Sequence, residues 1–520
     1  MIAEELIITL AAAEGGRAQP YHRQVYEQVR GAILSGRLRP GDRLPATRDL
    51  AARLGLARNT VARAYGDLLA EGYLEGRVGS GTYVAPGLGG EVGARVEGKP
   101  ARAPGGRPRR LSGWVGRALR EARDRQVASA LPYDFRPGTP DWDAFPRALW
   151  LQLLGRALRR EAGELTRYGD PAGYLPLRQA IARHLAVSRG VVTAADQVVI
   201  VSGSQQALDL LARLRIDPGD AVAIEDPGYP EARRTFAAAD ARLLYVPVDD
   251  DGLDVSDLTR QATETPPRLV YVTPSHQFPT GATLSLARRL ALLEWAARRD
   301  VLIVEDDYDS EFRYTGRPVE SLQGLDRSAR VAYVGTFSTV LFPPFRVGYA
   351  VLPPDLVGPF VQAKWLADRQ TPTLEQLALA DFLEEGHFER HLRRMRRLAA
   401  NRRAALLAAI EEHLGDLVEP PRAGAGMHVM LRLAGPGPAP VDGVPTALET
   451  AVVAGAAARG VGVYPVGSCR IRPSADSAIL LGYAALPEDR IREGVRRLAE
   501  VVAEMRARRS GPGAITTRQP

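Results

Sequence analysis

Apolar positions recur along this chain with two different periods, and the change of period divides it. In residues 20–34, Val25, Val29, Ala32 and Ile33 share one helical face. Gly36 closes that helix, and GRLRPGDRLP is a turn-rich connector. A second short helix begins at Ala46 or Thr47, with Leu50, Ala51 and Leu54 facing inward, and Gly55-Leu56-Ala57 forms a tight turn. A third helix starts at Arg58 and carries Val61, Ala64, Tyr65, Leu68 and Leu69 as its buried stripe. YLEGRVGSGTYV then alternates around Gly79-Ser80-Gly81, the pattern of a two-stranded hairpin. From Phe135 the texture changes. Short apolar runs (QVVIVSG, DAVAIEDPGY, ARLLYVPV, RLVYVTPS, VLIVEDD, RVAYVGTF) alternate with amphipathic stretches such as SQQALDLLARL and LARRLALLEWAARR. That alternation predicts an α/β fold with a mostly parallel sheet covered by helices. After residue 375 come two long helices, and then a smaller α+β piece containing GMHVMLRL and AILLGYAAL.

At 520 residues the chain exceeds a single core. The expected divisions are a helical head at 1–85, a basic Gly/Pro/Arg-rich linker at 86–130, a large α/β body at 131–508, and a tail without order at 509–520. The linker composition is that of a flexible tether. Charge sharpens the division. Residues 1–130 hold 21 Lys plus Arg against 13 Asp plus Glu, whereas the remainder holds 47 against 48. The basic excess therefore lies in the first quarter, as expected of a part that meets a polyanion. The alternative is an arginine-rich solvated linker, and Arg107, Arg109 and Arg110 fit either reading. No apolar run approaches the length of a membrane span. The start lacks the basic region of a signal peptide, and the lone Cys469 excludes an internal disulfide, so a cytoplasmic location is expected.

Helix, short helix, turn, helix and hairpin is the order of a winged helix-turn-helix. The third helix presents Arg58, Asn59, Thr60 and Arg63 near its N-terminal turn, where a recognition helix meets base edges in the major groove. Arginine reads guanine and asparagine reads adenine. Arg48 and Arg77 are better placed for phosphates, which add salt-dependent affinity without sequence choice. A solvated charged face remains the plainer alternative. The landmarks PG-x-RLP, R-x-LA, LG, R-x-TV, AY, L-x-x-EGYL and GSGTYV resemble the DNA-binding domain of the GntR family nearly throughout. The resemblance implies operator DNA binding as a dimer on paired half-sites. Arg48, Arg58, Asn59, Thr60 and the wing residues Gly79, Ser80 and Gly81 fall on the family's DNA-contact positions.

In the body, Gly203-Ser204-Gln205-Gln206 joins a strand to a helix start, where backbone N–H groups and the helix dipole can cradle an anion. Tyr229, in DPGYP, offers a ring that could stack on a flat heterocycle or simply pack in a turn. Asp306 and Tyr308 end an apolar strand, where ligands meet parallel sheets. A buried carboxylate there can keep a pyridine nitrogen protonated, and a tyrosine hydroxyl can bond a ring oxygen. Glu305-Asp306-Asp307 could instead hold magnesium, but no phosphate-loop motif accompanies it, and no metal site is expected.

Taken in order, GSQQ, DPGYP, TPSHQFPTG, EDDYDSEF and GTFSTVLFPPFRVGY resemble fold-type I aminotransferases, which bind pyridoxal phosphate (PLP). The resemblance assigns the phosphate to Ser204, Gln205, Thr336, Ser338 and Arg346. It assigns ring stacking to Tyr229, the pyridine nitrogen to Asp306 and the ring hydroxyl to Tyr308. Head and body together resemble the MocR subfamily of bacterial regulators over about residues 6–505. That subfamily implies a PLP-responsive transcription factor acting as a head-to-tail homodimer. Two features depart from the aminotransferase pattern. Thr339 stands where the Schiff-base lysine belongs, and a hydroxyl cannot form an imine. The strand that commonly supplies a carboxylate-binding arginine reads AILLGY, with Arg470 and Arg472 upstream. The expectation is therefore a regulator that senses PLP, a PLP–amine adduct or a related small molecule noncovalently, with no catalytic residue. The alternative, an aminotransferase with a fused DNA-binding head, needs another amine. The chain has only Lys99 and Lys364, and Lys364 is expected on the surface of the QAKWLADRQ helix.

Overall fold

A computed structural model describes residues 8–10, 19–86, 110–121, 131–160, 162–314, 320–419, 424–433, 443–472, 474 and 476–510. The chain divides into two units, Met1–Arg110 and Leu111–Pro520.

The first unit is built on helices α1 (Tyr21–Leu34), α2 (Thr47–Leu54) and α3 (Arg58–Ala70), followed by the antiparallel strands β1 (Leu74–Arg77) and β2 (Gly81–Val84). Val25, Val29, Leu50, Val61, Ala64, Leu68 and Val84 form its core. Gly55 ends α2 at φ 66°, a left-handed conformation that favours glycine and sets the sharp turn into α3. Leu69, expected in the buried stripe, is instead 39% exposed. Positions 61, 64, 65 and 68 already fill the core-facing arc of α3, and the next residue falls beyond its edge.

The second unit opens with helix α4 (Gly113–Glu121), which lies inside the segment expected as linker. Arg117 fixes it to the body, donating from Nε to the Ala238 carbonyl at 3.0 Å and pairing with Asp240 at 3.4 Å. The Gly/Pro/Arg density of the preceding residues hid a short amphipathic run. Arg107, Arg109 and Lys99 lie outside the described residues.

After β3 (Tyr133–Asp134), the strands β4 (Val198–Val201), β5 (Ala221–Asp226), β6 (Arg242–Asp249), β7 (Gly252–Leu253), β8 (Leu269–Val272), β9 (Leu302–Asp307), β10 (Val331–Thr336) and β11 (Gly348–Val351) build one sheet. Their order is β4-β11-β10-β9-β8-β5-β6-β7, and only β11 and the short β7 run against the rest. The central strands are buried along their whole length because helices cover both faces, which is why they read as continuous apolar runs. Leu208, Leu211, Phe236 and Phe360 pack one face. Leu258, Leu292, Trp295 and Leu322 pack the other.

The C-terminal part holds β12 (His428–Leu433), β13 (Val461–Gly462), β14 (Tyr464–Pro465) and β15 (Ser477–Gly482), with β12-β15-β14 forming an antiparallel sheet. β13 pairs with β3, tying the start of the body to its end. The last helix, Glu488–Ser510, runs two residues into the segment expected as tail, and 511–520 lie outside the described residues. Among the described residues no helix is long and apolar enough to cross a membrane.

Candidate functional site

In the first unit, the N-terminal turn of α3 leaves Arg58, Asn59 and Arg63 exposed and Thr60 half-buried. Their freedom follows from the opposite face of α3, where Val61, Ala64 and Leu68 are wholly buried. Arg48, on α2, is exposed and lies 3.4 Å from Asp49. At the hairpin, Gly79 and Gly81 take φ 73° and 118°. Ser80 Oγ lies 2.7 Å from the Tyr83 hydroxyl, fastening the tip. Arg77 bonds Glu75 at 2.6 Å and lies over the Tyr83 ring, 4.5 Å from its centroid. Base-reading residue types on a helix end and basic groups beside a tied wing thus sit on one small domain.

In the second unit, the predicted ligand residues gather where β4, β5, β9 and β10 end. Ser202 and Gly203 follow β4 and lead into the helix Ser204–Arg215. Arg346 reaches across this turn, its Nη2 donating to the Ser202 carbonyl at 2.7 Å. Gly203 has φ 90°, and a Cβ there would stand 2.4 Å from that guanidinium. The glycine is therefore what admits the arginine. At the end of β10, the Ser338 N–H donates to Thr336 Oγ1 at 3.1 Å. Gln205 departs from its expected role as far as its side chain goes, since Nε2 donates to Thr235 Oγ1 at 2.6 Å. Its backbone N–H still lies in the first turn of the helix.

Asp306 lies near the end of β9, and its Oδ2 accepts from the Tyr271 hydroxyl at 2.8 Å. Burial pushes its carboxyl up to about 7. Tyr308 stands beside His276, whose Nδ1 is 3.1 Å from its hydroxyl, and burial raises the phenol. Tyr229 meets Phe278 edge-on with ring centroids 5.6 Å apart. Thr339 is buried, and its hydroxyl donates to the Tyr308 carbonyl at 2.6 Å. Two buried polar atoms among these residues have no hydrogen-bond partner, Asp306 Oδ1 and Ser338 Oγ. An unsatisfied buried group costs about 1–3 kcal/mol. A carboxylate oxygen and a hydroxyl left unpartnered among these residues suit a protonated ring nitrogen and a phosphate, so the residues present fit PLP.

Several residues of this site were not singled out from sequence. Glu225, at the end of β5, accepts from Thr273 Oγ1 at 2.6 Å and Gln277 Nε2 at 3.2 Å, and burial lifts its carboxyl to about 7. His276 bonds Asp309 at 2.9 Å, and Gly426 makes room for its ring, which would lie 2.0 Å from a Cβ at that position. TPSHQFPTG carried the signal for Thr273, His276 and Gln277 as polar residues after a buried strand. Tyr271, inside that strand, gave none.

The three carboxylates of the acidic run each have protein partners of their own. Glu305 accepts from the Leu322 and Gln323 amides, Asp306 from Tyr271, and Asp307 from Arg189 and Tyr333. A second grouping, His276, Asp309 and His428, has candidate ligand atoms within 4.8 Å of one another. Hydrogen bonds account for it, since His276 is shared between Asp309 and Tyr308, and His428 Nε2 faces the Pro279 carbonyl at 3.3 Å. Burial drives His428 down to about 3, so it is neutral. Arg470 donates to the Asp476 carbonyl and Arg472 to Asp257, while the Ile471 and Arg472 amides hold Asp226. The β15 residue Leu480 instead joins Met430, Val466 and Phe278 in an apolar cluster. Lys364 corrects the expectation of a surface position. Its side chain is wholly buried and paired with Asp368 at 2.9 Å.

Comparison with known proteins agrees with both units. Residues 21–84 match the model of the gntR family of bacterial regulatory proteins, and residues 143–498 match that of class I and II aminotransferases. The chain is 42% identical to the probable rhizopine catabolism regulatory protein MocR of Rhizobium meliloti, over 92% of this chain and 93% of that one. It is 31% identical to the pyridoxine biosynthesis transcriptional regulator PdxR of Corynebacterium glutamicum, over 92% and 95%. The body matches the crystal structure of LysN, an alpha-aminoadipate aminotransferase of Thermus thermophilus complexed with N-(5'-phosphopyridoxyl)-L-leucine. The TM-score is 0.67 with 31% identity, covering 76% of this chain and 98% of that one. A GntR-type head on a fold-type I aminotransferase-like body, shared with these regulators over nearly the whole chain, makes this protein a member of the MocR-type GntR family of DNA-binding transcriptional regulators.

Proposed function

We propose that this regulator senses PLP, a preformed PLP–amine adduct or a closely related phosphorylated planar molecule, held noncovalently, and that it acts as a head-to-tail homodimer on operator DNA in the cytoplasm. The observation that carries the sensing half is that Asp306 Oδ1 and Ser338 Oγ are buried without a hydrogen-bond partner. PLP, when bound, supplies a ring cation, a phosphate and an electrophilic aldehyde. Asp306 holds a proton at the ring nitrogen, Tyr308 bonds the ring hydroxyl and Tyr229 covers the ring. Arg346, Thr336, Ser338 and the Ser204–Gln205 backbone hold the phosphate. Thr339 stands at the position of the Schiff-base lysine, and its hydroxyl is engaged with the Tyr308 backbone. Lys364 is the one lysine among the described residues, and it is occupied by Asp368. Regulation rather than turnover is the use such a pocket supports.

On the head, Arg58, Asn59, Thr60 and Arg63 read base edges, and Arg48, Arg77 and the Gly79–Ser80–Gly81 wing follow the phosphate backbone. The test is a mobility shift on DNA upstream of the chain's own gene, repeated with PLP and with pyridoxal. A salt-sensitive, sequence-selective shift that PLP alters and pyridoxal does not is expected. A shift indifferent to both leaves the body without a sensing role.

A further inference from the structure

Lysine is almost never fully buried unless paired, and burying an ammonium costs several kcal/mol before pairing is counted. Lys364 is nonetheless wholly buried, and none of the contacts proposed for the ligand uses it. It lies on the helix Pro354–Asp368, with Nζ 2.9 and 3.1 Å from the two carboxylate oxygens of Asp368. Asp368 Oδ2 also accepts from Gln206 Nε2 at 2.7 Å. The other end of that amide, Oε1, accepts from the Ser202 N–H at 2.7 Å. The Ser202 carbonyl in turn accepts from Arg346. One path of hydrogen bonds therefore joins the buried ammonium to the turn and to the guanidinium lying across it.

An apolar side chain would pack at position 364 at lower cost than a charge. What the charge adds is a carboxylate held in one place by its i,i+4 partner. That fixed acceptor orients the Gln206 amide, which presents its oxygen to Ser202 and sets the peptide that Arg346 grips. We propose that Lys364, Asp368 and Gln206 form a brace that positions the Ser202–Gly203 turn and, through it, selects ligands bearing a phosphate. The proposal rests on the phosphate reading of that turn. These are positioning residues, since none of them touches the ligand.

The test measures dissociation constants of the full chain for PLP, pyridoxal and inorganic phosphate, in wild type, Lys364→Met and Gln206→Leu. Both variants should weaken PLP and phosphate about tenfold while moving pyridoxal less than about twofold. Equal weakening of PLP and pyridoxal marks general loosening and overturns the brace. So does an unchanged preference for PLP in both variants, which leaves the phosphate reading standing. A wild type with no preference for PLP over pyridoxal and no phosphate binding overturns the phosphate reading, and the brace with it. Should Lys364→Met fail to fold, Gln206→Leu, which keeps the Lys364–Asp368 pair, decides alone.

Discussion

Asp306 has one oxygen bonded and one bare, and its folded pKa of about 7 lies well above the ordinary carboxylate range. Folding therefore favours its protonated form. Its contribution to stability is whole below the ordinary range and is lost as pH rises through about 7. Ligand-free wild type should lose more thermal stability than Asp306→Asn between about pH 6 and pH 8. Glu225 titrates in the same window and leaves a residual slope in the variant. Calorimetric melts with equal slopes for the two proteins would refute the assignment. Bound PLP, by placing a cation beside Oδ1, should flatten the wild-type slope. Thr339 allows a second test at this scale. Thr339→Lys should bind PLP covalently, and borohydride reduction should convert that linkage to a stable secondary amine, read by mass, if the rest of the pocket is intact. No adduct would mean that the site has been reshaped beyond one residue.

At the scale of elements, the turn between β4 and its helix and the turn into α3 each do one job. Gly203→Ala puts a Cβ 2.4 Å from the Arg346 guanidinium at a left-handed φ of 90°. The arginine must shift, so PLP affinity should fall at least about tenfold, on the order of the 1.5–3 kcal/mol of one charged hydrogen bond. Fluorescence titration checks this, and unchanged affinity would remove Arg346 from the phosphate site. On α3, Asn59→Ala should cost about 1–3 kcal/mol on the operator and little on random DNA. Arg77→Ala should weaken both equally and lower the salt slope by about one. Anisotropy titrations at several salt concentrations separate the two behaviours.

At the scale of the whole molecule, a ligand in the body can change operator affinity only if it favours one arrangement of the protein over another. Such coupling is reciprocal. If PLP changes operator affinity by some factor, operator DNA must change PLP affinity by the same factor. Titrating PLP with and without operator DNA measures this directly. Asp306→Asn should lose the PLP response while keeping basal DNA binding, because none of the head residues is altered.

The helices, the hairpin and the core positions of the head were legible in the sequence, save Leu69, because helix periodicity and turn glycines act over a few positions. The α/β class and its main strands were equally readable, since strands buried on both faces need apolar runs whatever their neighbours, whereas helix α4 was not. The sequence by itself also determined which chemistry is on offer: a carboxylate and a phenol ending one strand, and a threonine and an arginine after another. Tertiary structure alone decided how those groups are used. It brought Tyr271 to Asp306 and His276 to Tyr308, drew the Gln205 side chain away to Thr235, turned Arg470 and Arg472 to their own partners, and buried Lys364 behind the turn it was never expected to serve. The physical reason is separation along the chain. Hydrogen bonds between residues 35, 32 or 162 positions apart leave no local period, and only the packing of strands and helices sets which groups meet.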